Sequence, residues 1–127
     1  MLDHIGIAVA DFATSRDFYV RALAALGFQK LVEFPKAEGG AAAGFGAEGK
    51  PFFWIATGDR PKGGLHVAFA ADSRAEVDEF YKAAIDAGAR DNGAPGLRPH
   101  YHAHYYGAFV LDPDGNNIEA VCHKPPG

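Results

Sequence analysis

The 127-residue chain has one cysteine, one methionine and one tryptophan. With Cys122 alone no intrachain disulfide can form, which fits a reducing cytoplasm. No apolar run approaches the roughly 20 residues that span a bilayer, so no membrane partner is expected. Met1-Leu2-Asp3-His4 leads straight into a strand pattern, without the basic-then-apolar order of a secretory signal. Charge is modest: 12 Lys and Arg against 16 Asp and Glu leave a formal −4. The cations are scattered rather than striped, which argues against a nucleic-acid partner. The length suits one domain, 1–127, with a core of its own.

What is present is a repeat. His4 opens His4-Ile5-Gly6-Ile7-Ala8-Val9, and His66, 62 residues later, opens His66-Val67-Ala68-Phe69-Ala70. Each histidine is followed 14 and 15 residues on by Phe-Tyr, at Phe18-Tyr19 and Phe80-Tyr81. The lead strands alternate: Ile5, Ile7 and Val9 share one face, as do Leu65, Val67 and Phe69. Asp11 and the Ser73–Glu76 capping box, also spaced by 62, start a helix in each half, and Gly27 and Gly88 stop them. Strands are expected near Phe28–Phe34, Ala41–Phe45 and Pro51–Ala56, then near Ala89–Arg90, Tyr105–Leu111 and Asn117–Cys122. The pattern predicts an α+β domain made of two βαβββ modules, about 1–60 and 64–125.

The faces opposite the apolar ones carry a histidine followed only by Gly or Ala, which leaves room for a cavity. Glu119, on the far side of its strand from Ile118, Ala120 and Cys122, is the third polar candidate. Two imidazoles and a carboxylate suit one divalent ion: Fe, Mn, Ni or Zn. Singly, a histidine on a strand is more often a hydrogen-bonded surface or core residue. The repeat is what brings His4, His66 and Glu119 into question together.

Leu2-Asp3-His4-Ile5-Gly6-Ile7-Ala8-Val9, Leu65-His66-Val67-Ala68-Phe69 and Asp112-Pro113-Asp114-Gly115-Asn116-Asn117-Ile118-Glu119 resemble the vicinal oxygen chelate superfamily. That group includes glyoxalase I, bleomycin-resistance proteins, fosfomycin-resistance enzymes and extradiol dioxygenases. The resemblance covers essentially the whole chain. It implies paired βαβββ modules forming an open, cup-shaped mixed β-sheet with helices outside, a homodimer, and His4, His66 and Glu119 at metal-ligand positions. In glyoxalase I a fourth ligand, a glutamate, comes from the last strand of the first module; here Phe53 or Trp54 stands there. Neither binds metal or moves a proton, so a glyoxalase reaction lacks its usual base.

Arg98-Pro99-His100-Tyr101-His102-Ala103-His104-Tyr105-Tyr106 holds half of the six histidines. Read as a strand, it places His100, His102, His104 and Tyr106 on one side, with Tyr101 and Tyr105 on the other. Pro95, Gly96 and Pro99 favour a loop for its first half. These residues are candidates to line a cup mouth, with Arg98, His100 and His104 binding substrate and His102, Tyr105 and Tyr106 serving catalysis. The competing reading is a solvated loop or a dimer contact. Phe45, Phe52 and Trp54 are candidates for an aromatic wall or for core. Cys122 reads as a buried, inert thiol.

Two functions follow from these residues and the resemblance. One is a metal-dependent lyase, isomerase or dioxygenase chelating a small oxygenated substrate. The other is a metal-free protein that binds a small molecule, as bleomycin-resistance proteins do.

Overall fold

The computed structural model describes residues 2–59 and 65–126; the expected junction between the modules, residues 60–64, lies outside them. The elements run β1 (Ile5–Val9), α1 (Phe12–Ala24), β2 (Gln29–Pro35), β3 (Ala41–Ala47), β4 (Lys50–Thr57), then β5 (His66–Ala70), α2 (Arg74–Asp86), β6 (Arg90–Leu97), β7 (Tyr106–Leu111) and β8 (Asn117–Cys122). The βαβββ order thus occurs twice. Each set forms a four-stranded mixed sheet, ordered β1-β4-β3-β2 and β5-β8-β7-β6. In both, the lead strand lies at an edge and pairs in parallel with the last strand. No helix among the described residues is long and apolar enough to cross a membrane.

Local chemistry accounts for the helices. The Asp11 side chain accepts from Thr14 N–H at 3.1 Å, and Ser73 accepts from Glu76 N–H at 3.2 Å. Glu76 reaches back to the Asp72 N–H at 2.9 Å, one residue before the cap. Gly27 (φ 82°) and Gly88 (φ 103°) take the left-handed conformation that ends each helix. The stripes Phe18, Tyr19, Ala22, Leu23 and Val77, Phe80, Ala84 are buried. They meet Val9, Phe53, Phe69 and Ile118 in one core running through both halves. Phe53 and Phe69, from different sheets, pack edge to face at 5.2 Å.

The Asp112–Asn116 turn joins the halves. Asp112 Oδ1 accepts from the N–H groups of Asp114 and Asn116, which shapes the turn. Its Oδ2 accepts from the buried Tyr19 hydroxyl at 2.5 Å. Asp114 accepts from Ala10 N–H at 3.1 Å and from Ser15 Oγ at 3.4 Å, where α1 begins. From the other side, Arg21 on α1 donates to the Asp86 carbonyl at the end of α2.

Two local expectations change. Strand β6, expected only near Ala89–Arg90, continues to Leu97 through Pro95 and Gly96, although those two residues favour a loop. It is an edge strand with register shifts at Asp91/Gly93 and Gly93/Gly96, where a missing N–H and an irregular ladder are tolerated. Residues 98–105 form turns, the loop that Pro95, Gly96 and Pro99 favour for the first half of that segment, and the turns run on through Tyr105, where a strand was expected; Arg98 N–H to Tyr105 C=O at 2.7 Å closes them. The strand alternation expected for His100, His102 and His104 therefore does not apply.

Candidate metal and ligand site

A cavity of about 490 Å³ lies alongside β1 and β5, and both His4 and His66 line it. Its remaining wall is largely apolar, with Ile5, Phe28, Phe52, Val67 and Phe69 among the residues. Phe52 reaches it because a β-bulge between β3 and β4 shifts the register at Phe45/Gly46, and the ring stacks edge-on against Phe28 at 4.9 Å. Trp54 instead packs against Phe34 and lies over Gly44, where an added Cβ would approach the indole to 2.9 Å.

His4 immediately precedes β1. Its Nδ1 is 2.7 Å from Asp3 Oδ2, and Lys50 Nζ is 2.8 Å from the same oxygen. Lys50, and then His4, hold the Asp3 carboxyl below the usual range. A proton on Nδ1, donated to Asp3, leaves Nε2 as the lone-pair nitrogen, the usual state of a ligating histidine backed by a carboxylate.

His66 is half-exposed on β5, and its Nε2 lies 2.8 Å from Glu119 Oε1. Glu119 is 0% exposed, so its charge needs partners. Its other oxygen accepts from the Tyr105 hydroxyl. Burial first, and then Glu119, push that hydroxyl well above its ordinary pKa, so it stays a donor. Gly107 leaves the space: a Cβ there would meet Tyr105 Cε1 at 3.1 Å and Glu119 Oε2 at 3.4 Å.

Two bonds of about 2.1 Å, roughly 85° apart, span the 2.8 Å between His66 Nε2 and Glu119 Oε1. That pair fits adjacent positions on one ion. His4 lines the same cavity as His66, but among the described residues no three His, Cys, Asp or Glu side chains are gathered into a metal-holding group.

The histidine-rich turn divides by direction. His102 Nδ1 accepts from His104 N–H at 3.1 Å, and its Nε2 faces His123 Nδ1 at 2.6 Å. His100 stacks on Tyr101, whose ring meets Tyr105. Arg98 donates to the carbonyls of Gly96 and Ala94 and lies over Phe109, so its guanidinium is tied to the sheet edge. Tyr106 turns to α2, donating to Asp78 at 2.6 Å beneath Arg74. Cys122 is buried. Asp3 and Lys50 beside His4, and the partnership of His123 with His102, escaped sequence reasoning; Asp3, next to a candidate ligand, was the one readable signal.

The model of the Glyoxalase/Bleomycin resistance protein/Dioxygenase superfamily matches residues 1–120. The chain belongs to that superfamily. Among solved structures, a glyoxalase/bleomycin resistance protein from Albidiferax ferrireducens T118 is similar over 96% of this chain and 97% of its own, with 28% identity and a TM-score of 0.76. A glyoxalase/bleomycin resistance protein/dioxygenase domain from Frankia sp. EAN1pec, 18% identical, covers 98% of both chains with a TM-score of 0.74. An E144Q mutant of glyoxalase I from Zea mays has a TM-score of 0.72 at 22% identity, and this chain spans 46% of its length. The last two likenesses speak for the fold alone. No curated protein matches the chain.

Within this superfamily fold, the strand register settles which first-half residue stands opposite Glu119. Gly6 pairs with Trp54 in one sheet, and Ala68, its repeat partner, pairs with Glu119 in the other. Trp54 is the counterpart, and Phe53, fully buried, corresponds to Ile118.

Proposed function

We propose that this superfamily member is a metal-dependent enzyme that chelates a small oxygenated substrate in the cavity beside β1 and β5. The observation that carries this reading is the His66 Nε2–Glu119 Oε1 pair, at the spacing of adjacent ligands, next to the cavity that His4 also lines. His66, Glu119 and His4 would hold one divalent ion: Fe, Mn, Ni or Zn. Such an ion supplies Lewis-acid polarisation of adjacent substrate oxygens. The chain's own residues supply the rest. Phe28 and Phe52 wall an apolar pocket that excludes water from a planar substrate, and Asp3 orients His4. Tyr105 keeps its proton and holds Glu119; Trp54 stands where glyoxalase I carries its fourth ligand. The chemistry is therefore assigned to a lyase, isomerase or dioxygenase whose base is not a first-half glutamate. A homodimer is part of the proposal.

Titration of metal-depleted protein with Fe(II), Mn(II), Ni(II) and Zn(II) tests it. One ion per chain should bind, and the doubly substituted His4→Ala/His66→Ala protein should bind none.

A second reading has its own support. His66 and Tyr105 already partner both oxygens of Glu119, and the three candidate ligands are not gathered together. On that reading the cavity binds an apolar small molecule without metal. Equal and negligible uptake by both proteins would favour it.

A further inference from the structure

The histidine- and tyrosine-rich turn offers no third ligand to the His66–Glu119 pair, yet it is more ordered by contacts than a solvated loop requires. Tyr105 lies at its centre. Its ring meets Tyr101 at 4.8 Å, His102 at 5.4 Å and His123 at 5.3 Å, each nearly edge-on. Its backbone is tied at both ends, with its N–H donating to the His102 carbonyl and its carbonyl accepting from Arg98. The box around it is fixed in turn. Because His102 Nδ1 accepts from the His104 N–H, the proton sits on Nε2 and is donated to His123 Nδ1. Gly107 alongside provides the clearance for a phenol to reach a buried carboxylate.

We infer that Tyr105 is a positioning residue: boxed by Tyr101, His102 and His123, it holds Oε2 of Glu119, so that Oε1 alone is presented beside His66 to a divalent ion. The inference rests on the metal reading above and extends it. A carboxylate with one oxygen committed to a phenol occupies one coordination position rather than two. It is also held in one orientation before any ion arrives, and partners of this kind set ligand basicity and affinity. The turn thus acts on the site through Tyr105 rather than by supplying ligands, which accounts for its concentration of rings.

The test is Co(II) titration of the metal-depleted full chain, following affinity and the visible absorption of bound cobalt. Tyr105→Phe keeps the ring in its box and removes the hydroxyl; it should weaken cobalt binding about 10- to 100-fold and shift the absorption bands. Tyr101→Leu, at an exposed ring that does not touch Glu119, should loosen the box and weaken binding by a smaller factor. It provides a second measurement should Tyr105→Phe fold poorly. Tyr81→Phe, which removes a hydroxyl bonded to Asp91 on the far strand, should match wild type within about twofold, because distant sites act independently. Wild-type affinity and an unchanged spectrum in Tyr105→Phe, or tighter binding, would overturn the inference while leaving the metal reading standing. Wild type that takes up no cobalt would overturn both.

Discussion

The two sheets share one plan and differ at one pair of positions. In the first, Gly6 faces Trp54 across the parallel ladder and Gly44 lies beneath the indole. In the second, Ala68 faces Glu119, and Phe109 takes the place beside it. The first half therefore fills its open face with a ring laid over glycine. The second half buries a carboxylate there and supplies His66 and Tyr105 to partner it. Duplication gives two equivalent places; a polar group persists where its neighbours satisfy it. On the metal reading, this one position serves packing in the first half and ion binding in the second.

Substitutions in either half test this difference, and the largest effect should come from Gly46→Ala in the first half. A Cβ at Gly46 would overlap the backbone carbonyl of Lys50, inside the bulged β3–β4 pairing. Chemical denaturation should show a loss of about 3 kcal/mol, because the obstacle is backbone and cannot swing away. Next is Glu119→Gln in the second half. It should weaken metal binding by about 100-fold, at or beyond the upper end of what outer-shell losses cost, read by calorimetric titration.

Tyr19→Phe tests the turn that ties the halves together. Losing a buried hydrogen bond to the Asp112 carboxylate should cost about 1.5–3 kcal/mol. Burial, and then Asp112, push the Tyr19 hydroxyl well above its ordinary value. A pKa higher in the folded than in the unfolded chain gives stabilisation that is full below about pH 10 and is lost as pH rises through the folded value. Denaturation curves of Tyr19→Phe should therefore decline less steeply than wild type above that pH. The smallest effect belongs to Trp54→Phe. A smaller ring over Gly44 should cost about 1 kcal/mol of stability, and metal affinity should stay within about twofold of wild type. A large loss of affinity there would show that the Trp54 position also serves the metal site.

Much of this contrast was legible before the structure. The 62-residue repeat of His, cap and helix stripe carries over to elements and core because period and caps are local signals. The parity of β8 placed Glu119 opposite Ile118 and Ala120 correctly. What was hidden depends on register and on edges. Phe53 and Trp54 differ by one step, and only pairing with Gly6 decides between them. Strand β6 carries Gly93, Pro95 and Gly96, which punctuate a sequence but are allowed on an edge. Pro95, Gly96 and Pro99 signal a loop at the start of residues 98–105, but not that the turns run on through Tyr105, which aims Tyr105 at Glu119 and sends Tyr106 to α2. Asp3 backing His4, and His123 pairing with His102, are contacts that no spacing rule encodes.

On the metal reading, His66 and Glu119 present adjacent donors to one ion beside the cavity that His66 and His4 line. Anomalous diffraction at the metal absorption edge, from crystals of metal-loaded protein, examines it most directly. A single peak is expected within about 2.3 Å of both His66 Nε2 and Glu119 Oε1, the range of first-row metal bonds to nitrogen and oxygen. A peak seated instead between His102 and His123, or no peak at all from protein crystallised with excess metal, would contradict it.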